Sequence, residues 1–143
     1  MYIIEPRFMQ ALRIPATVKT PEVLFDPANS VFEIKGKSIP DNAEEFYMDV
    51  LDWFDDYVAN PSEETVLKID LEYFNISSSK RLLFLFYKLN ELADGEKKVK
   101  VQWFHNEADE DMFEVGQDYA FMVKVPFDFI SHSLTNSSLV EAS

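Results

Sequence analysis

The chain has 143 residues (16.6 kDa), no cysteine, and 26 acidic against 13 basic side chains, a formal charge of −13. A chain of this length buries roughly 68–70% of its unfolded surface in one core, and the missing cysteines exclude a disulfide framework, a thiolate nucleophile and thiolate metal sites. With 47% hydrophobic and 15% aromatic residues it folds rather than staying disordered, and its negative surface excludes nucleic acid and anionic lipid as natural partners.

Met1 to Arg7 has no basic stretch followed by an apolar run, so it does not read as a signal peptide. The longest apolar run, Leu82 to Tyr87, is six residues, far short of a spanning helix. No membrane insertion is expected, and the cysteine-free composition suits the cytoplasm. Residues 1–143 read as a single domain with a core from 12 to 130, and the small, polar stretch 133–143 reads as a flexible tail.

Val23 to Phe25 and the alternating Val31 to Lys35, separated by Asp26-Pro27-Ala28-Asn29-Ser30, predict a hairpin. Pro40-Asp41-Asn42-Ala43 opens a helix. From Glu44 to Val58 its apolar residues recur at spacings of three and four, while Glu45, Asp49, Asp52, Asp55 and Asp56 fall mainly on the other side. Leu67, Ile69, Leu71 and Tyr73 alternate with Lys68, Asp70, Glu72 and Phe74, the period-two pattern of a strand with one buried face, that of the first four.

Asn75 and the serines at 77 to 79 are capping residues for a second helix over Lys80 to Leu92, which ends at Asp94-Gly95. Being apolar nearly all round, it is expected to be the most buried of the helices. Lys98 to Phe104 alternates as a strand, Glu107 to Tyr119 predicts a third helix, and Val123 to Phe127 a last strand. Strands alternating with helices of this length specify an α/β fold, a mixed, partly parallel sheet covered by helices. Ligands and partners of such sheets meet them at strand carboxyl ends, and Asn75 to Lys80 lies at one.

Three groups could carry chemistry. At the junction Leu71 to Lys80, hydroxyls sit at a strand-to-helix turn whose first N–H groups are unpaired, so a phosphoryl group placed there would be received by the helix N-terminus with Lys80 nearby. Capping alone also produces such serine runs. Glu107, Asp109, Glu110, Asp111 and Glu114, with His105, could in principle serve a small metal-assisted hydrolase. They lack the spacing and central glycine of a calcium loop, and acids at a helix start are favourable without further purpose. Asp41 to Glu72, with eleven acids and the single base Lys68, is either a solvated face or a docking surface for a basic protein. Nucleophile-elbow, Walker, dinucleotide and zinc-protease motifs are all absent from the sequence. No catalytic residue, metal ligand or cofactor is therefore assigned.

Thr20-Pro21-Glu22-Val23, Phe25-Asp26, Ile34-x-Gly36-x-Ser38-x-Pro40, Phe46-Tyr47 and Trp53 recur in order with Leu71 to Lys80 and Val101-Gln102-Trp103. Glu110-Asp111-Met112, Glu114, Gly116 and Asp118-Tyr119 complete a set that resembles the SiaC family of bacterial regulatory phosphoproteins, from about Leu12 to Phe129. That family is similar in fold to STAS-type antagonists of anti-sigma factors. The resemblance implies a non-enzymatic regulator in a partner-switching system, with a hydroxyl at the strand-to-helix turn phosphorylated by a partner kinase and freed by a PP2C-like phosphatase. It further implies that the unphosphorylated form binds and activates a diguanylate cyclase, raising cyclic di-GMP and favouring biofilm.

The family usually reads Asn-Thr-Ser-Ser at the junction, with the threonine as acceptor, whereas this chain has Ile76 there. Ser77 and Ser78 are the remaining acceptor candidates, with Phe74, Asn75, Ile76, Ser79 and Lys80 as the switch turn and partner-binding residues. The alternative is a constitutive adaptor, locked in its binding state by Ile76. In the switch reading a neutral turn flanked by Phe74 and Ile76 docks on a partner, and a dianion there must be desolvated within a negative field. A kinase with a basic cleft would be steered to the face around Asp41 to Asp56.

Overall fold

The computed structural model describes residues 9–132; the proposed tail at 133–143 lies outside the described residues. Six strands form one sheet in sequential order: β1 (Leu12–Ile14), β2 (Glu22–Asp26), β3 (Val31–Ser38), β4 (Glu64–Phe74), β5 (Lys98–Asn106) and β6 (Phe127–His132). β2 pairs antiparallel with β1 on one side and with β3 on the other, and β3 to β6 are parallel neighbours joined by α1 (Ala43–Ala59), α2 (Ile76–Asp94) and α3 (Glu110–Met122). Right-handed crossovers in a sequential order place all three helices on one face. Burial follows: Leu67, Ile69, Val101 and Trp103 point into the core, while Glu33, Lys68, Lys100 and Asp128 on the opposite face remain at least partly exposed.

Each helix begins on a polar cap. Asn42 Oδ1 accepts from Glu45 N, Asn75 Oδ1 from Ser78 N and Asp109 Oδ1 from Met112 N, each relieving one of the otherwise unpaired first-turn donors. The core is strongly aromatic. Phe25, Phe32, Trp53, Phe54 and Tyr57 fill the side under α1, with ring centroids 5.0–6.3 Å apart. Trp103, fully buried, anchors the side under α2 and α3.

Three expectations need correction, and one strand is added to them. Tyr73 is 58% exposed, not on the buried face. The pairing runs Gly36–Leu71 and then Lys37–Tyr73, so Glu72 is an extra residue that turns Tyr73 outward and Phe74 inward against Trp103. The last strand starts at Phe127, where the alternation predicts its end: Pro126 has no N–H, and the N–H groups of Lys124 and Val125 are taken by Asn90 Oδ1. α2 buries six of its 19 residues against six of 17 for α1, because Phe84 and Tyr87 lie on its outer side. β1, too short to show a period, adds an edge strand that the sequence pattern does not predict. Among the described residues no helix is long and apolar enough to cross a membrane.

Candidate functional site

The bulge at Glu72 delivers the chain into a tightly fixed turn. Asn75 N donates to Ser38 O (3.0 Å), its Nδ2 to Pro40 O (3.4 Å), and its own carbonyl accepts from Ser79 N (3.0 Å). Ile39 N donates to Lys19 O (2.8 Å), so the loop between β1 and β2 joins the same rim. The residues at 34–40 that carry the resemblance thus converge on the turn: Gly36, at φ +123°, sits beside the bulge, and Ser38 and Pro40 supply the carbonyls that hold Asn75.

The three serines have different fates. Ser78 is fully buried. Its hydroxyl donates to Ser38 O (3.1 Å) and accepts from Ser38 Oγ (2.8 Å), which leaves Tyr47 Oη as the donor in its 2.6 Å contact with Ser38 Oγ. A one-way chain therefore runs Tyr47, Ser38, Ser78, Ser38 carbonyl, tying β3, α1 and α2 together. Burial pushes the Tyr47 hydroxyl up to about 12 despite these bonds. Removing this donor by Tyr47→Phe is expected to cost about 1 kcal/mol in urea unfolding, since Ser38 Oγ keeps its other bond.

Ser79 is partly buried; its hydroxyl donates to Ile76 O (2.6 Å) and its carbonyl accepts from Tyr119 Oη (2.8 Å), a link from α3 to the turn. Ser77 is exposed. Ile76 beside it is 89% exposed, and with Tyr73 (58%) and Val18 (88%) it gives this rim three outward apolar side chains. Phe74 points inward, and the exposed Lys80 lies with Nζ 5.8 Å from the centre of the Phe84 ring. A turn presenting one free hydroxyl and an apolar rim is suited to modification and docking.

The other candidates are arranged differently. Asp109 caps α3, Glu110 and Asp111 occupy its first turn, and among the described residues no three His, Asp or Glu converge as a cation site. His105 packs on Phe113 (5.0 Å) with Nδ1 near Asn106 O (3.1 Å), and His132 Nε2 lies 2.9 Å from Asp70 Oδ1. On α1, Glu44 and Asp55 pair with Arg81 and Lys88, and Asp41 in the loop before it pairs with Lys19. Glu45, Asp49, Asp52 and Asp56 line its exposed side.

One feature has no sequence signal. β4 and β5 stop pairing at Ile69–Trp103, although β4 follows β3 to Phe74 and β5 follows β6 to Asn106. The fork opens a cavity of about 760 Å³ at the carboxyl ends, lined by Asp70, Glu72, His105, Asn106 and His132 among others. Ser38 was legible in principle: the alternation Phe32, Ile34, Gly36, Ser38 places its hydroxyl on the buried face, where it needs a partner.

Residues 14–132 match the family described as SiaC family regulatory phosphoprotein. An uncharacterised protein of Pseudomonas aeruginosa (strain UCBPP-PA14) is 27% identical over 124 residues, covering 87% of this chain and 98% of that one. The crystal structure of apo-SiaC from Pseudomonas aeruginosa superposes with a TM-score of 0.80 at 26% identity, over 86% of this chain and all of that one. A second similar structure, at TM-score 0.80 and 27% identity over 85% of this chain and 99% of that one, is SiaC from the same organism in complex with the diguanylate cyclase SiaD, which it activates. The chain belongs to the SiaC family of regulatory phosphoproteins.

Proposed function

We propose that this protein is a non-catalytic, cytoplasmic switch that binds and activates a diguanylate cyclase until Ser77 is phosphorylated. The observation that carries the reading is the sorting of hydroxyls at the turn. Ser77 alone is exposed, beside the outward Ile76, while Ser78 is buried and Ser79 is bonded to its own helix. A partner kinase would transfer the γ-phosphoryl of ATP to Ser77 Oγ, releasing ADP and the hydroxyl proton, and a PP2C-like phosphatase would hydrolyse the ester. The cyclase as partner follows the relative whose structure is a complex with SiaD.

Physically, the apolar rim of Val18, Tyr73 and Ile76 docks at low desolvation cost only while its neighbour is neutral. A phosphate on Ser77 adds about −1.5 to −2 charge inside that contact. In the native cells, deletion of the gene is expected to lower cyclic di-GMP; Ser77→Ala restores it and Ser77→Asp fails to, with affinity for the cyclase reduced about tenfold or more, equivalent to about 1.4 kcal/mol. Unchanged cyclic di-GMP on deletion would sink the cyclase reading. Equal rescue by both variants would favour the constitutive adaptor, for which Ile76 at the usual threonine position is the supporting feature.

A further inference from the structure

Ser77 and Arg81 are four residues apart in α2, so they share a helix face with Cβ atoms about 5–6 Å apart. That face looks toward α1. Arg81 Nη2 lies 3.7 Å from Glu44 Oε2 in the first turn of α1, and two turns further along Lys88 meets Asp55. The Arg81 side chain is 23% exposed against 74% for Glu44, and its guanidinium lies 5.5 Å from the centre of the Phe84 ring. At 3.7 Å the bridge is an ion pair without a hydrogen bond, and a pair whose acid is this exposed contributes little. Arg81 is thus held beside the turn mainly by packing, with a weak electrostatic partner.

We infer that Arg81 reads the phosphate: phosphoserine at 77 takes the guanidinium from Glu44 and leaves that acid of α1 unpaired. The inference rests on Ser77 being the modified residue. A phosphate offers three acceptor oxygens and up to two negative charges, which match the planar fork of arginine in a bidentate contact. Glu44 offers a single carboxylate at longer range. Repulsion between Glu44 and the phosphate favours the exchange further, and the N-terminus of α2 stabilises the anion at Ser77 independently of Arg81.

Lys80, at i+3 from Ser77, is the competing receiver. It is a point charge on an exposed side chain and lacks the fork. Once Arg81 turns to the phosphate, Glu44, beside Glu45 in the first turn of α1, faces solvent without it. A mark on the turn thereby becomes a change of charge on a second helix, next to the apolar rim that meets the partner.

Genetic encoding of phosphoserine at position 77 tests this without a kinase. The probe is the phosphate itself, its second ionisation followed by ³¹P NMR against pH. In the folded chain it should titrate below the value of about 6 for free phosphoserine. Arg81→Gln is expected to raise it by about half a pH unit or more, Arg81→Lys by less, and Glu44→Gln to lower it further by removing the competitor. Circular dichroism of the unphosphorylated variants checks that each remains folded, and Arg81→Lys, which keeps the stem and charge, serves should Arg81→Gln not fold. Identical titrations in wild type and the Arg81 variants, or a larger effect from Lys80→Gln, would overturn the assignment. Failure of the Ser77 reading is seen separately, as absence of phosphate at Ser77 in protein purified from native cells.

Discussion

Ser78→Asp is expected to cost about 3–5 kcal/mol of folding stability, the penalty of an uncompensated buried charge, while Ser77→Asp stays within about 0.5 kcal/mol of wild type as an exposed substitution. The two positions are adjacent in sequence and nearly opposite in environment. Ser78 is fully buried, and its oxygen sits between a hydroxyl that donates to it and the Ser38 carbonyl that accepts from it. A carboxylate there keeps one donor, Ser38 Oγ, and confronts the carbonyl oxygen with like partial charge. At Ser77 the new charge faces solvent in the first turn of α2, where the macrodipole is mildly favourable.

Urea unfolding measures the contrast directly, as a large fall in midpoint for Ser78→Asp at unchanged m. Ser78→Ala separates lost bonds from buried charge and should cost about 1–2 kcal/mol. The sign with pH is a further check. In Ser78→Asp, burial raises the pKa of the introduced carboxyl above its unfolded value, so the penalty is small below that unfolded value and grows as pH rises toward the folded one. Equal midpoints for the Ser77 and Ser78 variants would refute the contrast in burial. If the contrast holds, any loss of partner binding in Ser78→Asp reports local unfolding, and Ser77→Asp is the variant that isolates charge.

The hairpin, the three helices and two of the parallel strands were legible because periodicity and capping agree there; Asn42 and Asn75 cap as their positions suggest. What failed were local changes of phase. At Tyr73 and Phe74 a period-two reading assigns the wrong face, since one bulged residue inverts everything after it and leaves no mark in composition. Val123 to Phe127 alternates as a strand would, but Asn90, 34 positions before Lys124 and on a helix, supplies the acceptor that keeps the Lys124 and Val125 N–H groups out of the sheet. The site suffered from the same limit. Sequence could place three serines at a helix start, yet only the long-range contact of Ser38 with Ser78, 40 residues apart, separates the buried hydroxyl from the free one.

Gly116→Ala is expected to destabilise the protein by about 2–3 kcal/mol, although alanine is the better helix former by about 1 kcal/mol. Gly116 lies in the middle of α3, and a Cβ built there would stand 2.6 Å from two atoms of the Trp103 indole and 2.9 Å from the Phe129 ring. The indole has no room to yield. It is fully buried, edge-on to Phe74 and Phe86 at 6.1 and 6.4 Å, close to Tyr119 at 5.5 Å, and fixed by Nε1 donating to Met112 O at 3.0 Å. Relief therefore requires α3 to lift from the sheet, which strains or breaks that bond and the packing around it. The displacement reaches the first turn of α2, because Tyr119 on α3 donates to Ser79 O there. Alongside the lower urea midpoint, the indole N–H resonance of Trp103 should shift, and amide exchange at Ser79 and Lys80 should quicken. A Gly116→Ala protein as stable as wild type would mean that α3 docks with more freedom than the Trp103 contact permits.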